Sequence, residues 1–489
     1  MTVIPKTAPF ARYCHIVDDW NAFQETLQRP LPTTIWTNTL RTTPEALAHS
    51  LAKEGIALRP IPWYPGGFIL PENIRPGRLW QQFAGLYHIQ EATSMMPVRL
   101  LDPQPGERVL DMCAAPGNKT VQMAVAMRNT GTIYATDISN GRLRVLRLAI
   151  NRLGITNIAV STSDATSLGK QTGQFDRILV DAPCSCEGTS RRSPHLLTAE
   201  AMPTEERKTG TQLALLRKAV QLCKPGGRIV YSTCTYAPEE NEMIVDAILK
   251  EASQIITLRS AELPGVQSTP GVTEWQGTQF HPSLHLARRM WPHQNDSGGF
   301  FVAVLEKSAA APEDETVLKP ITAESGKVWG KAVEPEPWLT IIHERFGIPH
   351  EQLDPMVLIR WSKRGAFIAS ANMTPPRYRP PDNIGLFFMR TTDRLPKLTT
   401  AATMLVGQWA QKNVVDLTDE QAVGYFLRET RPLLPQQTHN CTSTGYVIVR
   451  YKGIVLGLGF YWAAQADKPH RLEGLYPKNW AARPDNIGI

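Results

Sequence analysis

Residues 108–119 of this 489-residue chain are RVLDMCAAPGNK. The first four have the pattern of a short buried strand, the next form a turn of small residues that contains glycine, and a helix pattern begins at Thr120. A strand that passes through a tight turn into a helix is the opening unit of a parallel sheet covered by helices. This stretch therefore predicts the start of an α/β fold.

The same alternation continues through a predicted core at residues 91–307. Further strands are predicted at 132–137, 157–160, 175–181 and 227–231, and helices at 120–127, 141–153, 207–223 and 239–250. This order predicts a doubly wound parallel sheet, and ligands bind such sheets beyond the carboxyl ends of the strands. Each motif discussed below follows one of these strands.

The flanking sequence predicts four further segments. Residues 1–90 predict a small α/β domain, with helices at 18–28 and 44–54 and a strand at 35–38. Residues 308–334 begin with small, acidic and Pro-containing sequence, which is typical of a linker. We expect an α/β accessory domain at 335–395. A β-rich (α+β) domain is expected at 396–489, with strands at 446–451 and 454–460.

Composition narrows the class of protein. Lys and Arg number 52 and Asp and Glu 45, so the formal net charge is +7, which is compatible with a polyanionic partner but does not require one. No apolar run approaches the roughly 20 residues of a membrane span, and the first residues lack the apolar core of a signal peptide. Seven cysteines in so long a chain indicate reduced thiols rather than disulfides. We expect a soluble, cytoplasmic protein with no membrane partner.

The small residues at 113–119 can let a ligand approach the backbone, and the helix that follows offers free N–H groups. The loop is neither a P-loop nor a G-x-G-x-x-G motif, so alone it is equally a structural turn. Asp137 and Asp181 end two other predicted strands, and Asp164 follows a third. Any one of them would be read as a turn or N-cap residue, but together they favour a nucleoside-bearing cofactor.

Two thiols lie on loops at neighbouring strand ends. Cys184 follows the predicted strand at 175–181, and Cys234 follows the one at 227–231. A metal site would need about four ligands with recognisable spacing, and only Cys184-x-Cys186 fits loosely, so we predict no metal site. Structural burial better suits Cys113 and Cys223. Covalent catalysis is the preferred interpretation for Cys184 and Cys234.

These stretches resemble a known family. Residues 175–185 (FDRILVDAPCS) resemble the signature of the Sun-type (Nop/Nol/Sun) RNA cytosine-5 methyltransferases, 113–120 (CAAPGNKT) its cofactor loop, and 232–235 (STCT) its nucleophile loop. Residues 38–41 (NTLR) and 298–303 (GGFFVA) also fit. The C-terminal part, at 445–459 and 475–479, is similar to the ribosomal RNA branch often called RsmF, in which a PUA-like domain lies at the C-terminus.

The resemblance implies a Rossmann-like class I methyltransferase core that uses S-adenosyl-L-methionine, flanked by RNA-binding domains. It assigns the methionine part of this cofactor to Cys113, Ala114, Ala115, Pro116, Gly117, Asn118 and Lys119, the ribose to Asp137 and the adenine to Asp164. Asp181 would lie near the cofactor and the target base and assist proton transfer. Lys119 would orient Asp181 or the target, although it could equally be a surface charge at a helix start.

The resemblance also implies the order of the thiols: Cys234 attacks carbon 6 of cytosine, and Cys184 promotes release of the product. Carbon 5 of cytosine is too weak a nucleophile for a sulfonium methyl group, whereas thiolate addition to carbon 6 makes carbon 5 enamine-like. The carbon-5 proton must then leave, and a second thiol or a carboxylate can assist. The chain departs from the family at Cys186, where Gly or Ala is usual, and at Asn118, where Gly is frequent.

RNA is the expected partner of a monomeric protein, with ribosomal RNA preferred and tRNA second. The predicted helix at 141–153 carries Arg142, Arg144, Arg147 and Arg152, for which a solvated face is favoured over phosphate contact. Arg191 and Arg192 are better candidates for phosphate contact. The C-terminal candidates for stacking and phosphate contact are Arg450, Lys452, Arg471 and Lys478, with Tyr451, Phe460, Tyr461 and Trp462.

Two alternatives stay open. A DNA cytosine-5 methyltransferase would use Cys184, in its Pro-Cys pair, as the nucleophile. A non-catalytic ribosome-assembly protein could retain the cofactor fold without transferring a methyl group. The second thiol at Cys234 disfavours the first alternative, and the intact set of candidate catalytic residues disfavours the second.

Overall fold

The described residues form four sheets of four or more strands. The computed structural model describes residues 9–197, 206–312, 331–332, 336–362, 365–376, 378, 380–390, 397–478 and 480. Most of the predicted linker at 308–334 lies outside these residues. In the part of the chain that is described, no helix is both long enough and apolar enough to cross a membrane.

The N-terminal unit contains an antiparallel sheet in the order β2-β3-β1-β4. Its strands and helices are β1 (Thr34–Thr37), β2 (Arg59–Pro60), β3 (Gly67–Ile69), β4 (Tyr87–Ile89), α1 (Trp20–Leu27), α2 (Pro44–Ala52) and α3 (Trp80–Phe83). Asp19 and Thr43 accept hydrogen bonds from the first turns of α1 and α2, which fixes where these helices begin. The predicted helices and strand of this region are confirmed within a few residues.

The unit that contains the central sheet includes all five strands that the sequence predicts for the core. This unit contains β5 (Arg108–Asp111), β6 (Thr132–Asp137), β7 (Ile158–Thr162), β8 (Phe175–Asp181), β9 (Cys223–Thr233), β10 (Ile256–Arg259), β11 (Thr269–Pro270), the hairpin β12 (Glu274–Trp275) and β13 (Thr278–Gln279), β14 (Arg288–Met290) and β15 (Phe300–Lys307). Its helices are α4 (Met96–Leu101), α5 (Asn118–Ala126), α6 (Asn140–Leu153), α7 (Glu206–Leu222), α8 (Glu242–Glu251) and α9 (Pro292–Asn295).

The order of the parallel strands is β9-β8-β5-β6-β7, with β15, β14 and β11 continuing antiparallel beyond β9. Helices α4, α5 and α6 bury their apolar residues on one face, and α7 and α8 bury theirs on the other. The predicted doubly wound α/β fold is therefore confirmed. The chain reverses its direction across the sheet between β5 and β8, which is where such folds bind ligands.

A third unit packs against the far edge of this sheet. Its elements are α10 (Glu336–Phe346), β16 (Lys331–Ala332), β17 (Met356–Ser362), β18 (Gly365–Ser370), β19 (Asn383–Ile384), β20 (Leu386–Arg390) and β21 (Lys397–Leu398). Strand β19 leaves this unit and pairs antiparallel with β7, so it extends the central sheet by one strand. Ile359, Ala369 and Met373 also lie in the core on the α7 and α8 face of that sheet.

The last unit contains α11 (Thr400–Val406), α12 (Asp419–Phe426), β22 (Val414–Leu417), β23 (Thr430–Pro432), β24 (Gly445–Tyr451), β25 (Ile454–Trp462) and β26 (Arg471–Gly474). The two strands predicted here are confirmed as β24 and β25. Strand β21 still belongs to the sheet of the third unit, beyond the limit predicted at residue 396. The domain limits and the PUA-like assignment stay predictions.

Most of the C-terminal stacking candidates have structural contacts. Tyr451 and Tyr461 are buried in the core that this unit shares with the N-terminal unit. Arg450 is paired with Asp416 on the neighbouring strand β22. Trp462 is exposed, so it is the aromatic of this group best placed for stacking on a base.

Candidate active site

A cleft of about 780 Å³ opens at the reversal point between β5 and β8. Its walls are the loops after β5, β8 and β9, together with residues 30–34 and 89–91 of the N-terminal unit and 298–300 before and at the start of β15. All seven residues from Cys113 to Lys119 line it, as do Asp181 and Cys234. The structure thus brings together most of the site residues expected from the sequence.

The loop at 113–119 approaches α6 so closely that it requires glycine. Gly117 has a φ of 116°, and a Cβ on it would lie 2.7 Å from Cδ1 of Leu146 and 2.9 Å from that residue's Cα. A side chain here would be both strained and in collision with α6. The Ala115–Pro116 peptide bond is cis.

Asp137 lies behind this loop. Its Oδ2 accepts a hydrogen bond from the Ala115 amide at 3.1 Å, and its Oδ1 accepts one from the Ser139 amide at 2.8 Å. Asp164 is exposed, and its Oδ1 accepts hydrogen bonds from the amide and the hydroxyl of Thr166. The carboxylates of Asp137 and Asp164 do not line the cleft. The next residue after Asp137, Ile138, is 77% exposed and was missed by the sequence analysis. Its signal is a large apolar residue placed directly after a strand-end Asp.

Asp111 was also missed. It ends β5, lines the cleft, and is almost completely buried. Its Oδ2 accepts a hydrogen bond from the Thr120 hydroxyl at 2.7 Å, whereas its Oδ1 has no partner among the described residues. Burial raises the pKa of this carboxyl to about 7.

Cys184 and Cys234 meet as the strand-end argument predicts. Strands β8 and β9 are parallel neighbours with Asp181 opposite Ser232, and the two sulfur atoms lie 3.4 Å apart. Cys234 lines the cleft, while Cys184 is only 5% exposed and does not. The thiol nearer to a ligand in the cleft is therefore Cys234.

Further contacts hold the two thiol loops together. The amide of Gly188 donates to the Cys234 carbonyl at 2.9 Å, and the carbonyl of Gly188 accepts from the Gly299 amide at 2.8 Å. A Cβ on Gly188 would lie 2.2 Å from the Gly299 oxygen, so this crossing requires glycine. Glu187 is buried between the loops and accepts hydrogen bonds from Tyr13 at 2.8 Å and Thr235 at 3.0 Å.

Lys119 and Asp181 form an ion pair at the base of the cleft. Lys119 Nζ lies 2.6 Å from Asp181 Oδ2, and the Ser232 hydroxyl donates to Asp181 Oδ1 at 2.8 Å. The side chain of Lys119 is 11% exposed, so the interpretation as a surface charge is wrong. The pair places a fixed carboxylate between the loop at 113–119 and the end of β9.

A third thiol, Cys186, lies beside the two catalytic candidates. The sulfur atoms of Cys184, Cys186 and Cys234 all lie within 4.8 Å of one another. Hydrogen bonds from Cys184 and Cys234 lower the pKa of Cys186, with help from the charges of Lys208 and Arg142. Hydrogen bonds to Cys186 and Cys234, together with burial, raise the pKa of Cys184.

Comparison with known proteins decides the family. Residues 98–306 match the family described as 16S rRNA methyltransferase RsmB/F, and residues 11–92 match the N-terminal domain of 16S rRNA methyltransferase RsmF. Over 455 residues the chain is 33% identical to ribosomal RNA small subunit methyltransferase F of Aeromonas salmonicida. The alignment covers 89% of each of the two chains. The chain belongs to the RsmF family. The expected resemblance to the Sun-type methyltransferases is thereby confirmed, and S-adenosyl-L-methionine is the cofactor that membership of this family supports.

Other similar proteins match a smaller share of this chain. The human 28S rRNA (cytosine(4447)-C(5))-methyltransferase is 38% identical over 301 residues, which cover 60% of this chain but 37% of the human protein. The chain thus spans little more than a third of that relative's length. A solved methyltransferase homologue from Pyrococcus horikoshii is 36% identical with a TM-score of 0.52, and covers 58% of this chain and 90% of its own.

The departure of this RsmF-family chain at Asn118 has a structural explanation. Asn118 Oδ1 lies 2.9 Å from Nε2 of His88 in the N-terminal unit. Arg152 lies 2.9 Å from Nδ1 of the same ring, and burial together with this arginine lowers the pKa of His88 to about 3. The ring is therefore neutral, Nδ1 accepts from Arg152, and Nε2–H donates to Asn118. The contact ties the cofactor loop to the N-terminal unit.

Two predictions about arginines are wrong. Arg152 is not on a solvated face, because it donates to the carbonyls of Gln82 and Tyr87 as well as to His88. Arg191 is buried and donates to the carbonyls of Arg29, Pro30 and Ser297. These hydrogen bonds connect distant segments of the chain, so Arg191 is a structural residue and not a phosphate ligand. Both were misjudged because their partners come from distant segments. Arg192 is exposed and lines the cleft.

Proposed function

We propose that the protein methylates carbon 5 of a cytosine in small-subunit ribosomal RNA, by covalent addition of Cys234 to carbon 6. The observation that carries the proposal is the pair of sulfur atoms of Cys184 and Cys234, 3.4 Å apart, beside a cleft that the cofactor loop also lines. Two facing thiols at a ligand-binding edge suit a reaction in which one adds to the base and the other assists release.

The residues present fit S-adenosyl-L-methionine. The buried Oδ1 of Asp111 has no donor among the described residues, which suits the ammonium group of the methionine part. Residues 113–119 would hold that part, Asp137 would serve the ribose, and Asp164 with the exposed Ile138 would serve the adenine. When bound, the cofactor supplies an electrophilic methyl group for carbon 5 of the base.

The chain's own residues would carry the remaining steps. Cys234, as thiolate, forms a bond to carbon 6, and the electron pair of the 5,6 double bond moves to carbon 5. After methylation, the carbon-5 proton passes to a base, the bond from carbon 6 to sulfur breaks, and the 5,6 double bond forms again. Cys184 is the thiol next to this bond, and Asp181 is the nearby carboxylate, held by Lys119 and Ser232.

The exposure of the two thiols favours Cys234 as the nucleophile. Cys234 lines the cleft and Cys184 does not, so a base in the cleft would meet Cys234 first. This argument from exposure does not depend on the roles of the two thiols that the family resemblance implies. It disfavours the DNA-type alternative, in which Cys184 attacks. A cytosine in a structured RNA would have to leave its stack to reach this depth, at a cost of a few kcal/mol.

The extent of the similarity favours ribosomal RNA. The match to the Aeromonas ribosomal RNA methyltransferase covers 89% of this chain, so it includes most of the C-terminal sequence. We also propose that the protein acts as a monomer; the cytoplasmic location stays a prediction. Arg192 at the cleft is the best-placed cation for an RNA phosphate.

The experiment is methyl transfer from labelled S-adenosyl-L-methionine to three substrates: deproteinised 16S rRNA, intact small subunits and total tRNA. Bisulfite sequencing then locates the modified cytosine. We expect label in 16S rRNA, free or assembled, and none in tRNA. Label in tRNA alone would overturn the proposal that ribosomal RNA is the substrate. Cofactor binding without transfer to any of the three RNAs would favour the non-catalytic alternative.

A further inference from the structure

The proposed reaction needs two thiols, yet the fold brings three together. The sulfur atoms of Cys184, Cys186 and Cys234 lie within 4.8 Å of one another, and each belongs to a loop at the same edge of the sheet. Metal–sulfur bonds of about 2.3 Å at tetrahedral angles place sulfur ligands about 3.8 Å apart. The 3.4 Å between the sulfur atoms of Cys184 and Cys234 is close to this spacing, and the Cys186 sulfur lies within 4.8 Å of both.

The sequence could not reveal this arrangement. Cys184 and Cys186 are separated by one residue, whereas Cys234 lies 48 positions further along and reaches them only through the pairing of β8 with β9. The expectation of no metal site rested on spacing along the chain. That expectation did not consider residues that strand pairing brings together.

We propose that Cys184, Cys186 and Cys234 together bind one Zn²⁺ ion, with the fourth coordination position open to the cleft on the side of Cys234. Zinc prefers thiolate ligands and takes three protein ligands where a position is left for water or a ligand. Binding forms three zinc–sulfur bonds and releases the thiol protons to solvent, with no change of oxidation state.

The surroundings suit such a site. Three thiolates and one Zn²⁺ carry a net charge of −1, which a nearby cation offsets. Lys208 on α7 donates to the carbonyl of Cys184 at 2.6 Å, so its charge lies beside the cluster. The Lys119–Asp181 pair at the base of the cleft is neutral overall. The positive charge of Lys208 thus lies where it can offset the net negative charge of a zinc ion with three thiolate ligands.

Cys186 is the residue that distinguishes this proposal from the catalytic pair. It has a φ of 62°, a left-handed conformation that disfavours any side chain, and nothing in the proposed reaction requires its sulfur. A residue kept in a strained conformation points to a function for its side chain. Its thiol supplies the third ligand, and two thiols alone would bind zinc more weakly.

Zinc binding would inhibit methyl transfer, because it occupies Cys234. This consequence rests on the proposed function, whereas the binding itself does not. The ion and a cytosine in covalent addition compete for the same sulfur atom. A zinc-bound chain is therefore a resting form that releases the metal before the RNA is modified.

The test uses the full-length protein under a phosphine reductant, which keeps the thiols reduced. Zn²⁺ is added alone, in competition with a chromophoric chelator, and its stoichiometry and affinity are measured for three proteins: the wild type, Cys186→Ala and Cys14→Ala. Cys14 is a free cysteine outside the cluster and serves as the matched control. We expect one Zn²⁺ per chain in the wild type and in Cys14→Ala. Loss of an outer-shell partner alone lowers metal affinity 10–100-fold, so loss of the ligand in Cys186→Ala should lower it by at least about 100-fold.

A second measurement follows methyl transfer as Zn²⁺ is titrated. Cys186→Ala should retain the zinc-free activity, which also shows that it is folded, and should need about 100-fold more Zn²⁺ for half inhibition. Equal zinc affinity in the wild type and Cys186→Ala, or no tight zinc in the wild type, would overturn the proposal. If zinc binds as expected but no RNA is methylated by any protein, the metal site stands and the proposed function fails.

Discussion

At the scale of single residues, the site depends on where polar atoms lie relative to the cleft more than on their identity. Cys234 and Cys184 have the same side chain, and only their exposure separates the proposed nucleophile from its partner. The sequence placed both on neighbouring strand ends, because parallel strands end at one edge. It could not place Cys186 or the free oxygen of Asp111, since both features depend on packing between distant segments.

Cys186→Gly should raise the free energy of unfolding by about 1 kcal/mol, since a left-handed side chain costs about 1–2 kcal/mol and glycine avoids that cost. Cys186 has a φ of 62°, so the substitution removes the strain. Urea unfolding at pH 7 is the measurement. Cys186→Ala keeps the strain and is the control, and a glycine variant no more stable than the alanine variant would contradict the assignment of strain.

The raised pKa of Asp111 predicts that the stability of the protein depends on pH. Its pKa is raised from 3.8 to about 7 by burial, so between these values the folded state holds a proton that the unfolded state has lost. The stability of the wild type should therefore fall as the pH rises through this window. Asp111→Asn should be more stable than the wild type at pH 8, with most of the difference gone at pH 4.5.

The exposed Glu72 provides the control for this pH dependence. Urea unfolding of Glu72→Gln at the same two pH values should match the wild type at each. An Asp111→Asn variant that shows no gain between pH 4.5 and pH 8 would refute a raised pKa at Asp111.

At the scale of elements, the five parallel strands and their helices were predictable because their apolar runs and small-residue turns are local signals. The contacts of α6 could not be predicted from such local signals. Its predicted arginine face turns out to supply Arg152 to the N-terminal unit and Arg142 to the carbonyl of Ala115 in the cofactor loop. A charge pattern on a helix does not tell which neighbour the helix will have, so solvent was the wrong expectation for Arg152, whereas the side chain of Arg142 is still 59% exposed.

Gly117→Ala should weaken binding of S-adenosyl-L-methionine by more than about tenfold and destabilise the fold by about 2 kcal/mol or more, because the new Cβ would collide with α6. Calorimetric titration and urea unfolding measure the two effects. Gly106→Ala is a matched control, since Gly106 has a φ of 89° but no atom of the described residues lies within 4 Å of its added Cβ. Equal binding by both variants would show that only backbone strain matters.

At the scale of the whole molecule, the N-terminal and C-terminal units share one hydrophobic core although they are far apart in sequence. The hydroxyl of Tyr476 donates to the carbonyl of Phe83 at 3.0 Å, and the rings of Trp80 and Tyr451 lie 5.0 Å apart. The sequence predicted separate flanking domains, because a contact between chain ends leaves no local pattern. Walls of the cleft that come from the N-terminal unit are therefore supported by the C-terminal one.

Tyr476→Ala should destabilise the protein by about 3–5 kcal/mol, as for other buried aromatic side chains, and the change should affect the N-terminal unit as well. Hydrogen exchange by mass spectrometry would detect faster exchange in the strands of both units. The exposed Tyr378 is the control, and Tyr378→Ala should change stability by less than about 0.5 kcal/mol. Faster exchange confined to the C-terminal unit would contradict a shared core.

The central claim is that Cys234 attacks the base and Cys184 releases the product. The most direct measurement incubates Cys184→Ala, Cys234→Ala and the control Cys14→Ala with 16S rRNA and S-adenosyl-L-methionine. Denaturing electrophoresis then detects covalent RNA–protein complexes, and mass spectrometry locates the modified peptide. The account predicts that Cys184→Ala accumulates a complex through Cys234, while Cys234→Ala forms none and Cys14→Ala behaves as the wild type. A complex through Cys184 in the Cys234→Ala protein would contradict it.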